Sequence, residues 1–220
     1  MKLNTLKNNS SKGFTLIEMI GVLAVIAILA ALLIPKVFQA ITEARINTVP
    51  VGCGTIKTAV IDHYAKYGGL NIVKTTDTTV TEPTTTITLE AAATLADYDG
   101  TVLLVEQLID KPFAPRVGVN PDILLVGASP AATTVDGTTP GVYNLDGLDA
   151  GANQAFGSYV VEAVIEDVTA ADAQAISARI DGADMSQLET SLETADLQGR
   201  VIYAAPASGV TDVRIYLTHR

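Results

Sequence analysis

The chain has 220 residues, enough for one domain with a real core and an attached helix, and it carries 24 Asp and Glu against 14 Lys and Arg, a formal net charge of −10. That balance argues against a nucleic-acid-binding surface, which needs clustered cations; the 14 here are scattered along the chain with no basic run. A single cysteine, Cys53, excludes an intramolecular disulfide and a zinc site of several thiolates, and the lack of Trp with only 5% aromatic residues weakens carbohydrate-stacking and base-stacking readings.

The amino-terminal segment opens with Lys2, Lys7 and Lys12 and then runs apolar from Phe14 to Ile34, with only Thr15 and Glu18 polar. A helix over that run is about 31 Å long, the thickness of a bilayer core. A cleaved secretory signal fits poorly, because the run exceeds a usual signal core and no Ala-x-Ala pair occurs between Phe14 and Ala44. A plain signal anchor fits the length but not Glu18, since a carboxylate in a spanning helix costs about 2.5–3.5 kcal/mol and calls for a partner. A cut between Gly13 and Phe14 would supply one: the new α-amino group would lie one turn before Glu18 on the same face, or would meet the Glu18 of a neighbouring helix. Such a cut also removes three lysines and no acid, leaving 11 cationic side chains against 24 carboxylates, so the remainder would be strongly acidic.

The stretch "KGFTLIEMIGVLAVIAILAALLIP" closely resembles the amino-terminal segment of type IV prepilins and of the pseudopilins of type II secretion. The resemblance covers Lys12 to about Arg45 and rests on Gly13, Phe14, Thr15, Leu16, Glu18 and Pro35. It implies cleavage by a prepilin peptidase after Gly13, N-methylation of Phe14, a role for Glu18 in recruiting the subunit to a growing filament, and helix flexibility at Pro35. Gly21, Ala24, Ala27 and Ala31 add a small-residue stripe on which a second helix can approach closely, although Gly and Ala are common in membrane helices in any case.

Beyond Pro35, the residues Val37, Phe38, Ile41 and Ala44, and then Ile56, Val60, Ile61, Tyr64 and Tyr67, predict an amphipathic helix facing a core. Pro50, Gly52 and Gly54 predict a kink or short break within it, and Gly68-Gly69 its end. The threonine-rich stretch from Lys74 to Thr88 reads as an exposed loop or an edge strand, and its composition would also permit O-glycosylation. A short helix is expected over Asp99 to Ile109, with Val102, Val105, Leu108 and Ile109 on one face and Pro112 beyond its end. Strands are expected over Asp122 to Gly127 and Ser158 to Val168, and a terminal pair over Arg200 to Ala205 and Val213 to Thr218. Between them Thr169 caps a helix, Asp172 answers it, Ala175, Ile176 and Ile180 face inward, and Gly182 marks the stop.

The expected architecture is therefore α+β: a long amino-terminal helix, membrane-spanning in its first half, packed on an antiparallel sheet with short inserted helices. Its expected divisions are a leader over 1–13, a transmembrane or filament-core helix over 14–34, and an amphipathic helix with a pilin-like head over 35–220. Only two histidines exist, His63 and His219, expected on the surface or on a helix face, and neither "GASPA" nor "FGSYV" is a nucleophile elbow, so no catalytic set emerges. Asp136, Asp146 and Asp149 sit in a loop whose carboxylates suit calcium, but without the 12-residue spacing of an EF-hand; a solvated turn is the competing reading. The resemblance implies a structural subunit of a pilus or pseudopilus, held in the inner membrane with a cytoplasmic leader before entering a periplasmic or extracellular filament. Its implied partners are copies or paralogues of itself, a prepilin peptidase and an inner-membrane assembly platform. A membrane-tethered ligand-binding module using the same anchor is the alternative.

Overall fold

The computed structural model describes residues 13–73, 85–86, 93–127, 134–146, 158–182 and 194–220. Most of the leader, most of the threonine-rich stretch and Asp149 lie outside the described residues. The chain divides into two compact units, Met1–Glu43 and Ala44–Arg220.

In the first unit the described chain is almost wholly helical, the amino-terminal part of α1 (Leu16–Tyr67). Its large apolar side chains are exposed from Phe14 to Ile41. Val37, Phe38 and Ile41, expected on the core-facing side, therefore belong to this exposed surface. By length and composition the helix is able to cross a membrane.

In the second unit α1 contributes the stripe Ile46, Val49, Cys53, Ile56 and Val60, spaced three, four, three and four residues apart and all buried. The helix runs unbroken through Pro50, Gly52 and Gly54, so the predicted break is absent. Pro in a helix interior costs about 3 kcal/mol and Gly about 1 relative to Ala. Burial of five apolar side chains, at about 1.5–3 kcal/mol for each large one, exceeds that cost. Gly68 ends the helix at φ 77°, its amide donating to Tyr64 O at 2.7 Å.

Short strands β1 (Ile72–Val73) and β2 (Thr85–Thr86) pair antiparallel. The main sheet comprises β3 (Thr94–Leu95), β4 (Val119–Gly127), β5 (Tyr159–Thr169), β6 (Val201–Tyr203) and β7 (Val210–His219), in the order β3-β4-β5-β7-β6 and antiparallel throughout. Helix α2 (Ala170–Ile180) follows β5 directly. Thr169 Oγ1 accepts from the Asp172 amide at 3.2 Å, as expected for an N-cap, and Gly182 lies just past the end at φ 85°. Ala173, Ile176 and Ser177 are its buried residues, with Ala175 and Ile180 partly buried against the core.

The helix predicted over Asp99 to Ile109 is instead one wide turn, Asp99–Leu103, followed by further turns. Leu104 N donates to Asp99 O at 2.8 Å and Leu108 N to Leu103 O at 3.0 Å, both spanning five residues, and Gln107 has φ 61°. Val102 and Ile109 are buried as expected, but Val105 is 47% exposed.

Alternation along the strands gives the sheet two apolar faces. Val161, Ala163 and Ile165 of β5 and Val213, Ile215 and Leu217 of β7 join α1 and α2 in the main core. Val160 and Ile202 point the other way, into a second cluster with Val135, Val142 and Tyr143. Glu162 shares that second face, where its Oε1 accepts from Arg214 Nη1 at 2.7 Å and its Oε2 from Tyr143 Oη at 2.7 Å and Gly141 N at 3.0 Å. Burial pushes its carboxyl upward, and Arg214, Gly141 and Tyr143 oppose the shift.

Candidate functional site: the amino-terminal segment

Gly13 precedes the helix and is exposed, and a Cβ built there would meet nothing within 4 Å. No packing within the described chain requires glycine at this position. Phe14 follows at 78% exposure, an apolar ring with no core of its own to enter.

Glu18 closes a reciprocal cap with Thr15. The Thr15 amide and the Thr15 Oγ1 each donate to Glu18 Oε2 at 2.8 Å, and the Glu18 amide donates back to Thr15 Oγ1 at 3.3 Å. This is a capping box, which satisfies donors left orphaned at a helix start. Thr15-x-x-Glu18 ahead of an apolar run is itself a capping-box signature in the sequence, a second reason for a carboxylate here besides a charged partner. Gly21, like Gly13, would admit a Cβ freely, and Ala24, Ala27 and Ala31 are exposed with it. Pro35 lies inside the continuous helix, where it deprives the Ala31 carbonyl of its usual donor.

The remaining candidates lie in the second unit. Asp136 closes a tight turn: its Oδ1 accepts from the Thr138 and Thr139 amides at 2.8 and 2.7 Å, and its Oδ2 from Thr139 Oγ1 at 2.8 Å. Burial pushes this carboxyl up, but the Thr139 and Thr138 donors outweigh it and hold the pKa at about 2. Asp146 is exposed. A different trio, Asp97, Asp99 and Asp122, brings its ligand atoms within 4.8 Å of one another. Asp122 Oδ1 there accepts from the Asp97 amide at 2.8 Å, and the buried Asp99 Oδ2 from the Phe113 amide at 2.5 Å.

Of the two expected places for His63, the structure takes the helix face: it is wholly buried on α1 and paired with Glu106, a relation invisible in sequence because 43 residues separate the two. Cys53 is buried too, and burial pushes its thiol up to about 12, which makes it a core residue rather than a nucleophile.

Residues 8–34 match the model of the prokaryotic N-terminal methylation motif. The chain is also 44% identical over 62 residues to fimbrial protein EcpB of Eikenella corrodens, covering 28% of this chain and 38% of that protein. No solved structure matches the chain. A methylation motif laid over a freely exposed Gly13-Phe14 junction and a Glu18-capped apolar helix, together with a fimbrial relative matched over part of its length, makes the amino-terminal segment of this chain similar to that of type IV pilin-like proteins.

Proposed function

We propose that the chain is a structural subunit of a type IV pilus-like or type II secretion pseudopilus filament. A prepilin peptidase cuts between Gly13 and Phe14, the new amine is methylated, and the mature subunit waits as a single-pass inner-membrane protein until an assembly platform moves it into the filament. The observation that carries this reading is the exposed apolar surface from Phe14 to Ile41, with one carboxylate, Glu18, near its start. In a bilayer that surface meets lipid; in a filament it meets the same surface of other copies, and Glu18 meets the amine of a neighbouring Phe14. Pro35 serves as the point where the helix loosens during that transfer.

The cap suggests a test that separates the two roles of Glu18. Glu18→Gln keeps a capping-box acceptor but removes the charge, whereas Glu18→Ala removes both. Both variants are expected at normal level in the membrane fraction, cut after Gly13, and both are expected to lose sheared filaments, because an incoming subunit no longer neutralises the neighbouring amine. Normal filament yield from Glu18→Gln with loss from Glu18→Ala would reduce Glu18 to a helix cap. Normal yield from both would favour the membrane-tethered binding module.

A further inference from the structure

The second unit of this acidic chain holds a cleft of opposite sign. A cavity of about 220 Å³ lies where α1, α2 and β7 meet, and Lys57, Arg179 and Arg200, the last just before β6, line it with no carboxylate among its lining residues. Arg200 is partly engaged, its Nε donating to Asp181 Oδ1 at 3.1 Å and its Nη2 to the Ile180 carbonyl. Lys57 and Arg179 are exposed and have no ion-pair partner among the described residues. Scattered over 144 positions of sequence, the three cations give no basic run; the fold gathers them.

The converse arrangement lies at the other end of α2. The ladder between β5 and β7 slips between Ile165↔Val213 and Val168↔Thr211, so Glu166 and Asp167 together stand opposite the single residue Asp212. Asp167 takes φ 51° in this bulge, and its amide donates to Asp212 Oδ1 at 3.2 Å. All three carboxylates are exposed and none has a cationic partner among the described residues. Asp167 lies just before α2 and Arg179 in its last turn, so the two patches are separated by about 15 Å along the helix.

We propose that these patches are the two halves of one contact between successive copies of this chain, the Glu166-Asp167-Asp212 bulge of one subunit entering the Lys57-Arg179-Arg200 cleft of the next. A contact between two different patches is heterologous and propagates rather than closing on itself, which is the symmetry a filament needs. It also offsets the repulsion expected between bodies that all carry net negative charge. The proposal rests on the filament reading and names the head surface that reading leaves open.

The test is made on the full chain in a host that processes it. Lys57→Glu with Arg179→Glu, and separately Glu166→Lys with Asp212→Lys, are each expected to lower sheared filament mass at least tenfold while the membrane fraction still holds protein cut at Phe14. All four changes together are expected to restore filaments. Wild-type yield from either pair, or no recovery in the fourfold variant, overturns the contact. Because reversed charges can also unfold a head, a second arm uses Arg179→Cys with Asp212→Cys, treated in intact filaments with a short bis-maleimide. A link within one chain leaves the subunit at monomer mass, so only links between subunits raise it, and Cys53 is buried. A ladder of linked subunits is expected, and monomer alone overturns the proposal. A wild type that is neither processed nor filamentous overturns the filament reading itself, and this contact with it.

Discussion

His63 Nδ1 stands 2.8 Å from Glu106 Oε2, with the two side chains 0% and 1% exposed. Among the described residues His63 Nε2 and Glu106 Oε1 have no hydrogen-bond partner, and the rings of Tyr67 and Tyr98 flank the imidazole at 5.0 and 6.0 Å. A buried pair of this kind is weak evidence for net stability, but each member depends on the other. Either His63→Ala or Glu106→Ala is expected to lower the unfolding free energy of a soluble fragment of residues 36–220 by about 3–5 kcal/mol. His63→Leu with Glu106→Met is expected to be neutral or stabilising. Denaturant titration of the four proteins checks this, and additive losses in the double variant would contradict it.

Two glycines of α1 are expected to respond oppositely to the same change. A Cβ on Gly52 would stand 3.0 Å from Phe113 Cε2 and 3.2 Å from Cδ2, whereas one on Gly54 would meet nothing within 4 Å. Gly54→Ala should therefore raise stability by about 1 kcal/mol through helix propensity alone. In Gly52→Ala that gain is cancelled unless the Phe113 ring shifts, and Gly52→Val should cost about 1–3 kcal/mol by overpacking. Thermal midpoints of the three variants decide it.

Asp136 gives the head a pH dependence of defined sign. Its folded pKa of about 2 lies below the ordinary value of 3.8, so its contribution is complete above about pH 4 and is lost as the pH falls toward 2. Asp136→Asn keeps a neutral acceptor and removes the charge. With allowance for solvent screening it should cost about 1 kcal/mol at pH 7. Near pH 2 the variant and the wild type should unfold together. A difference that persists at pH 2 would mean that the turn depends on shape rather than charge.

Gly13 should tolerate any side chain as far as folding is concerned, since its surroundings are open. A bulky residue there should still block removal of the leader, leaving full-length protein in the membrane and no filaments. Gly13→Ala, the smallest change, should retain part of the cleavage. Intact mass of membrane-extracted protein distinguishes the cases, and full cleavage of Gly13→Leu would show that the junction is read elsewhere.

Features whose cause is local were legible in the sequence. The charged residue inside an apolar run and the Thr169 cap of α2 need only a few neighbouring residues, and the β-rich runs of β4, β5 and β7 declare themselves by composition. Features made by distant partners were not. His63 was legible as a helix-face residue but its buried pairing was not, because Glu106 is far along the chain, and Pro50, Gly52 and Gly54 looked like a break because the buried stripe and Phe113 that hold that turn in place appear only on folding. Asp99 to Ile109 had helical spacing, yet the burial of Asp99 and the left-handed Gln107 made it a series of wide turns.

Every donor and acceptor in the Thr15–Glu18 cap lies at or beyond Thr15. A chain that begins at Phe14 keeps the same helix start as one that begins at Met1. The proposed cut after Gly13 would therefore change charge rather than shape: it would touch no bond of the cap and would place a new amine beside a carboxylate already held in position. Under the proposed processing the peptidase would act as a charge switch, exchanging the three leader lysines for a single amine at Phe14, one turn before Glu18.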